Sequence, residues 1–242
     1  MVLRRTGNHE ACVASTGHNQ VMSTIADLLP MLGLRIIAGP LELRGITDDD
    51  LPALCDLAAA GIHDADRMPF FFPWTDAPAE ELLRNTAQYH WRTRADFSPA
   101  AWALHLGVWR DGELVGTQGL ETKDFLVTRT GETGSWLGRA FQGQGIGTAM
   151  RQVICAFAFE HLDAAEVTSA AFVDNPASIA VSRKVGYADN GVRRLRRRDG
   201  ELAHNLGLVL TPETFIRGEH PLRVEGLSAF RRSIGLDPVG PS

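Results

Sequence analysis

The spacing of apolar residues divides the chain, from Leu34 onward, into segments with strand and helix periodicity. Alternating apolar residues and Asp-Gly turns predict strands at 34–43 (bent once), 102–108, from 114, 134–137, 167–173, 187–196 and 202–210. Apolar residues at helical spacing predict helices at 51–61, 76–94, 146–162 and 176–186. This order of elements predicts an α+β fold, with a mixed, mostly antiparallel central sheet and helices on both faces.

Short polar motifs mark where several of these elements begin. Thr47, with Asp50 three positions later, is typical of a helix N-cap. Asp76 predicts the cap of the next helix, with Pro78 in its first turn. The segment 128–131 is rich in turn residues, so we predict a loop there, ahead of the strand at 134–137.

Composition divides the chain into three parts. Residues 1–32 are predicted to form a loosely attached N-terminal extension, polar up to Gln20 and then apolar enough for a short helix that Pro30 ends. Residues 33–215 carry the predicted elements and form the main domain. Residues 216–242 hold one apolar stretch and end in Pro and Gly, so we expect a C-terminal tail that packs on or near the domain.

The charge and cysteine content exclude several classes of protein. The 24 Lys and Arg residues against 29 Asp and Glu give a formal charge of −5, which argues against a general polyanion binder. Three widely spaced cysteines without a CxxC pair fit a reducing cytoplasm. No apolar stretch approaches the roughly 20 residues that a membrane span needs. We therefore expect a cytoplasmic protein with no membrane segment and no metal site.

A glycine-rich segment, Gln142-Gly143-Gln144-Gly145-Ile146-Gly147, opens the predicted helix at 146–162. Glycines let the backbone approach a ligand closely, and the N–H groups at a helix start carry about half a positive charge. Such a loop suits a diphosphate, although the same pattern also serves as a plain tight turn. Thr148 stands where a P-loop needs lysine and where a dinucleotide fingerprint needs glycine or alanine, so neither motif applies.

Three separated motifs together resemble the acyl-CoA site of the GNAT N-acyltransferase superfamily. They are Gln142-x-x-Gly145-x-Gly147, Asp174-Asn175-Pro176-Ala177-Ser178 and Lys184-Val185-Gly186-Tyr187, and the resemblance covers about residues 34–212. The opening, 34–50, is similar to the RimJ/RimL-like branch, which acetylates ribosomal proteins. The stretches 63–70, 135–138 and 172–178 look most like a mycobacterial member that uses succinyl-CoA.

The resemblance implies a GNAT-like fold and an acyl-CoA-dependent N-acyltransferase. Such an enzyme moves an acetyl or succinyl group from acetyl-CoA or succinyl-CoA to a primary amine, on a protein or a small molecule, by direct attack in a ternary complex. The CoA pyrophosphate would lie on the loop opened by Gln142, on backbone amides of Gln144, Gly145, Ile146, Gly147 and Thr148. Pantetheine would contact Trp136, Leu137, Arg139 and Asn175. The Leu137 amide would donate to the thioester oxygen.

The acid and the base of the reaction stay open at the level of sequence. Many family members have a tyrosine seven residues after the asparagine, where this chain has Ser182, so the acid is Ser178, Ser182 or a bound water. The base candidates are Glu121 and Asp174, although either carboxylate also fits a helix cap or a solvated position.

Other residues are candidates for holding the acyl group or the acceptor. A succinyl carboxylate needs a cation, for which Arg67, Lys123 and Arg129 are candidates, each also readable as a surface charge. Phe72 and Trp74, within an aromatic run, are candidates for a wall of the acceptor slot.

The run Arg193–Arg198 is predicted to be a solvated edge strand, although contact with an acidic acceptor, the CoA 3′-phosphate or RNA stays open. Two alternative functions follow: a non-catalytic acyl-CoA-binding module, because the tyrosine is missing, and a GNAT-fold transferase that takes its acyl group from aminoacyl-tRNA. We also expect a homo-oligomer, with a dimer as the expected form.

Overall fold

The structure, a computed structural model, describes residues 23–238. Our expectations for Cys12 and for the rest of 1–22 and 239–242 lie outside the described residues. The helices are α1 (Ile25–Leu28), α2 (Leu51–Ala59), α3 (Ala79–Ala95), α4 (Phe125–Thr128), α5 (Ile146–Leu162), α6 (Pro176–Val185) and α7 (Leu227–Ser233). The strands are β1 (Arg35–Ala38), β2 (Leu41–Gly45), β3 (Ala101–Arg110), β4 (Glu113–Lys123), β5 (Thr130–Leu137), β6 (Glu166–Phe172), β7 (Ala188–Arg196), β8 (Leu202–Leu210) and β9 (Arg223–Glu225).

All nine described strands form one mixed sheet in the order β7-β8-β6-β5-β4-β3-β2-β1-β9. Every neighbouring pair is antiparallel except β5 and β6, which are parallel. Alternate residues of β3 face opposite sides: Leu104 and Leu106 enter the main core with α5, while His105 meets Tyr89 of α3. Helices therefore cover both faces, and the predicted α+β class is confirmed.

Several local predictions need correction. The bent strand is two strands, separated by a turn in which Gly39 has φ +57. The prediction of a loop at 128–131 is wrong, because α4 extends to Thr128 and β5 already begins at Thr130. Asp76 does not cap α3, because its carboxylate pairs with Arg198.

The Thr47–Asp50 motif forms a turn ahead of α2, and the helix begins about one turn later than a Thr47 N-cap predicts. The Thr47 N–H and hydroxyl both donate to the Asp50 carboxylate, at 2.8 and 2.7 Å. Asp50 itself occupies the N-cap position of α2, and its carboxylate also receives the Arg44 guanidinium. The motif therefore joins β2 to α2 rather than starting the helix at Thr47.

The C-terminal segment completes both the sheet and the core. β9 pairs with β1 and so forms the last strand of the sheet on that side, with Val224 opposite Ile36. The Phe230 ring of α7 is fully buried, with its centroid 5.6 Å from that of Trp102 and 6.3 Å from that of Phe157. The core of the domain therefore extends well past residue 215.

The parallel pairing of β5 and β6 ends early. It runs only from Thr130 opposite Glu166 to Thr133 opposite Ser169. Beyond that point β5 stays paired with β4 and β6 stays paired with β8, so the two strands part while each keeps its outer neighbour. We call the gap between 134–137 of β5 and 170–172 of β6 the fork.

We expect Phe230→Ala to lower the free energy of unfolding by about 3–5 kcal/mol, because it empties a buried aromatic site. Ile216→Ala, a half-exposed position in the same segment, serves as the matched control and should change the free energy little. Urea unfolding followed by circular dichroism measures both. A loss below about 1 kcal/mol for Phe230→Ala would show that the C-terminal segment is not part of the cooperative core.

Candidate functional site

The inner edge of β5 presents backbone groups to the fork. The Gly138 N–H donates to the Val115 carbonyl of β4 at 2.9 Å. Peptide groups of an antiparallel strand alternate between its two edges, so the Leu137 and Ser135 peptides turn away from β4, toward the fork. The Leu137 carbonyl, on that same edge, accepts from Gln142 Nε2 at 2.9 Å.

The glycine loop lies at the open end of the fork. Gly143 and Gly145 have φ of +74 and +83, in the left-handed region that favours glycine. A Cβ atom on either residue would meet no atom of the described residues within 4 Å, so their side chains leave this backbone bare. Gly145 is the N-cap of the 17-residue helix α5, whose first amides have no partner within the helix. The loop can therefore hold an anion.

Three elements converge beside this loop. A Cβ built on Gly147 lies 3.6 Å from Val181 of α6 and 3.7 Å from the Leu137 side chain of β5. The side chain of Ile146 is buried in the core, so only its backbone is presented. Thr148 is half-buried in the first turn of α5, and its N–H donates to the Gly145 carbonyl.

The polar side chains around the loop hold the loop itself. Gln142 Nε2 donates to the Ile62 carbonyl at 2.6 Å as well as to Leu137. Gln144 donates to the Ala140 carbonyl and accepts from Arg110, and Arg139 forms an ion pair with Asp64. What this region offers a ligand is therefore mainly its backbone.

The start of α6 brings Asn175 and Ser178 together. Asn175 is the N-cap, and its Oδ1 accepts the Ser178 N–H at 3.2 Å. Ser178 is half-buried, in the first turn. Ser182 is fully buried, and its hydroxyl donates to the Ser178 carbonyl at 3.1 Å. Of the two serines, only Ser178 is open to solvent.

The end of the arginine run ties distant segments together. Arg197 donates to both carboxylate oxygens of Asp174 at 2.9 Å and also pairs with Glu201. Arg198 pairs with Asp76 at 2.7 Å. Arg193, Arg194 and Arg196 lie exposed on β7, which is an edge strand as predicted. Asp174 is therefore committed to an ion pair.

Glu121 lies among polar groups on the sheet face covered by α3. It stands directly opposite Glu132 of β5, and its carboxylate is 3.4 Å from His105 Nε2. Partial burial, and then the Glu132 charge, raise the pKa of Glu121 above its ordinary value. The Tyr89 hydroxyl lies 2.7 Å from the same His105 nitrogen, and burial raises the pKa of Tyr89.

An aromatic wall borders this face. The rings of His63, Phe70, Trp74 and Trp136 follow one another with centroid distances of 5.7, 5.3 and 6.0 Å. Trp136 shares its face of β5 with Glu132 and Gly134 because strand residues alternate. A Cβ on Gly134 would meet no atom of residues 23–238 within 4 Å, so the sheet surface between Glu121 and the wall is open there.

The structure brings Trp74 to this wall but not the other proposed substrate contacts. Phe72 is 73% exposed and lies outside the stacked series, and Arg67 is exposed. Lys123 pairs with Ala101 at the end of β4 that is remote from the fork, and Arg129 precedes β5 at that same end.

His105 and Tyr89 are absent from the sequence-derived candidates. Each stands within a periodic segment where it looks like an ordinary helix or strand residue. Only the packing of α3 on β3 joins them to Glu121, so no local signal marks either one.

Within residues 23–238 no cluster of His, Cys, Asp and Glu suits a metal ion. No helix of that described part is long and apolar enough to cross a membrane. Cys55 and Cys155 are buried free thiols, and burial raises the pKa of Cys155 to about 11.

Comparison with known proteins matches residues 40–188 to the acetyltransferase (GNAT) domain. This match covers more than half of the chain, so the chain belongs to the GNAT acetyltransferase family. The Bacillus subtilis (strain 168) protein named "Putative ribosomal N-acetyltransferase YdaF" is 31% identical over 162 residues, which is 66% of this chain and 82% of that protein.

Solved structures support the same fold. RimL, a ribosomal L7/L12 alpha-N-protein acetyltransferase, in complex with coenzyme A matches with a TM-score of 0.59 and 20% identity, over 72% of this chain and 96% of that chain. Mycobacterium smegmatis RimJ in complex with CoA-disulfide matches with a TM-score of 0.60 and 20% identity, over 75% of this chain and 86% of that chain. The GNAT-like fold expected from the sequence motifs is confirmed.

We expect acid to destabilise the protein partly through its buried histidines. Burial lowers the pKa of His105 to about 4 and that of His90 to about 3, with His105 adding to the second shift. A histidine in the unfolded chain has a pKa of about 6.5, so between pH 6.5 and pH 4 the unfolded chain binds more protons than the folded protein does. Stability is therefore lost over that window, at up to about 1.4 kcal/mol per pH unit for each histidine.

Urea unfolding at pH 7 and pH 5 tests this, because His105→Gln should show a shallower loss than the wild type. His204→Gln, at an exposed position of β8, should keep the wild-type slope. Equal slopes in all three proteins would contradict the burial of a neutral His105.

Proposed function

We propose that this chain is an acyl-CoA-dependent N-acyltransferase that moves an acetyl or succinyl group from CoA to a primary amine. The carrying observation is the fork beside the bare glycine loop, which together offer backbone donors to a thioester and to a diphosphate. Family membership supports the reaction class. The amine attacks the thioester directly, in a ternary complex, so no covalent enzyme intermediate forms.

The donor would lie along the backbone from the glycine loop into the fork. Its pyrophosphate would accept hydrogen bonds from the amides of 144–147, where the α5 dipole adds positive charge, whereas the Thr148 N–H already donates to the Gly145 carbonyl. The pantetheine arm would follow the inner edge of β5 at Trp136 and Leu137, opposite Asn175. Arg139 and Gln142 would act indirectly, because their side chains hold the loop in place.

The Leu137 N–H would stabilise the oxyanion. Strand alternation turns this amide toward the fork, and the Gln142 bond to the Leu137 carbonyl fixes the same residue. A fixed donor aimed at the developing negative charge is typically worth about 3–4 kcal/mol of barrier. As the amine nitrogen bonds to the carbonyl carbon, the carbon–oxygen electron pair would move onto the oxygen that this amide holds.

Glu121 would take the proton of the attacking amine, directly or through water. Its raised pKa suits a base, and it stands on the face where Gly134 and the aromatic wall leave room for an acceptor. Asp174, the other sequence candidate, is engaged by Arg197. The acceptor would therefore approach from the Glu121 face, while the donor occupies the fork.

Collapse of the tetrahedral intermediate would break the carbon–sulfur bond and release CoA thiolate. Ser178, at the start of α6, or a water beside it would supply the proton. Ser182 is a weaker candidate, because its buried hydroxyl already donates within the helix. The name of the Bacillus relative makes a protein amine a reasonable acceptor. A cytoplasmic location and a homo-oligomeric state are parts of this proposal that rest on sequence alone.

We expect Gly145→Ala to weaken CoA binding about tenfold, because it disturbs the amides at the start of α5. Gly200→Ala is the matched control: Gly200 also has a positive φ (+75) and open space around its Cβ, but it lies in the β7–β8 turn. Both variants should lose about 1–2 kcal/mol of stability, since each forces alanine into the left-handed region. Isothermal titration with CoA should separate them; equal affinities would argue against a phosphate site on the loop.

We expect Glu121→Gln to lower kcat about 10²- to 10⁴-fold with CoA affinity unchanged, because it removes the proton acceptor. In the wild type, kcat/KM should fall as the pH drops through the raised Glu121 pKa, at higher pH than for an ordinary carboxylate. Free thiol release from acetyl-CoA or succinyl-CoA with a panel of amines measures this. Glu113→Gln, on the same strand, is the control, and an unimpaired Glu121→Gln enzyme would contradict the assignment.

A further inference from the structure

Arg151 is a buried cation in the middle of α5. Only 4% of the residue is exposed. Its guanidinium donates to two neutral hydroxyls, from one terminal nitrogen to Ser169 Oγ at 3.1 Å and from the other to Ser135 Oγ at 3.0 Å. Its Nε is buried without a hydrogen-bond partner among the described residues.

These two serines place the guanidinium at the closed end of the fork. Ser169 belongs to the last residue pair that joins β6 to β5, and Ser135 lies two residues past that pair on β5, where the strands have parted. The guanidinium therefore bridges the two strands where they separate. Behind it, the Tyr187 hydroxyl lies 3.0 Å from Thr133 Oγ1.

Within residues 23–238, this charge has no carboxylate partner, unlike comparable arginines. Arg197 and Arg231, which are also largely covered, each contact carboxylates. Within the described part of the chain, Arg151 donates hydrogen bonds only to hydroxyls, and its guanidinium carbon lies 6.0 Å from the centroid of the Tyr187 ring, so it has no carboxylate partner. Burying a cation without an opposite charge is costly, and the bare Nε adds an unsatisfied donor. An anionic ligand group in the fork would relieve both costs.

We propose that Arg151 receives the terminal carboxylate of the donor's acyl group, so that the preferred donor is a short ω-carboxyacyl-CoA such as succinyl-CoA. This inference rests on the proposed function, which places the thioester beside Leu137. Leu137 and Ser135 are two strand residues apart, about 6.6 Å. A four-carbon dicarboxylic acyl group extends on the order of 5 Å from its thioester carbon, with bonds of about 1.5 Å, whereas an acetyl group ends after one bond.

The position of Arg151 also explains why the three cations proposed from the sequence are poorer candidates, although Arg129 is half-buried and one of its terminal nitrogens has no hydrogen-bond partner among the described residues. Lys123 and Arg129 lie at the end of β4 and β5 remote from the fork, and Arg67 is in solvent. A guanidinium held by two hydroxyls and shielded from water binds a carboxylate more strongly than a solvated one does.

The test compares succinyl-CoA with butyryl-CoA, a neutral donor with an acyl chain of the same four carbons, and with free CoA. Affinities from titration calorimetry and kcat/KM from thiol release are measured for the wild type. We expect succinyl-CoA to be favoured over butyryl-CoA about 10- to 100-fold, as for a hydrogen bond between charged groups. Equal use of the two donors, or a preference for butyryl-CoA, would overturn the assignment.

The variant Arg151→Met should abolish or reverse this preference while keeping the affinity for free CoA. Arg194→Met, on an exposed edge strand, is the control and should keep the preference for succinyl-CoA over butyryl-CoA. A retained preference in folded Arg151→Met would overturn the role of Arg151; if that variant does not fold, the wild-type comparison still decides whether the site selects a carboxylate. Failure of the proposed function is distinct, because then neither donor would release free thiol with any amine of the panel, whatever the affinity for free CoA.

Discussion

The parting of β5 and β6 is the constraint on which the rest of the structure depends. Strands in a sheet normally satisfy their peptide groups on both edges, and an unpaired buried group is costly. Here each strand keeps its outer neighbour, β4 or β8, so the gap persists without loss of either strand. The separation leaves fixed peptide groups along the inner edge of β5. A ligand in the fork can form hydrogen bonds with these groups in place of the missing strand pairing.

Side chains and backbone have separate tasks at this site. The side chains of Gln142, Gln144 and Arg139 form hydrogen bonds and an ion pair that hold the loop. The peptide groups of the same segment remain for the ligand. Such groups are rigid and carry no side-chain entropy, so they bind without the ordering cost of mobile residues. Because the peptide groups rather than the side chains face the ligand, the glycines are the residues that mark this binding surface in the sequence.

The sequence predicted the parts of the site that are local. The glycine loop, its helix and the Asn175 cap are short motifs whose geometry follows from a few adjacent residues, and each lies where expected. The predicted start of β5 was wrong because the segment before it forms the short helix α4. The buried Phe125 anchors that helix, and composition alone does not predict it.

Long-range arrangements were beyond the sequence. Tyr89, His105 and Glu121 meet only through helix packing and strand register. Arg151 looks like one polar interruption of an apolar helix, and its significance depends on two serines from different strands. Contacts of this kind depend on tertiary structure, which periodicity within a single segment does not report.

The ion pairs at the end of the arginine run have a consequence for how the two substrates are recognised. Arg197 and Arg198 fasten the β7–β8 hairpin to the backbone carbonyl of Met68 and to Asp76, on either side of the aromatic wall. The ion pair between Arg198 and Asp76 is partly exposed, so dissolved salt weakens it. The position of the aromatic wall, which would meet the amine, therefore depends partly on an ion pair that salt weakens. The shape of the fork depends on strand pairing instead. The tolerance for acceptors would therefore vary with the surrounding electrolyte, while the arrangement of peptide groups in the fork stays the same.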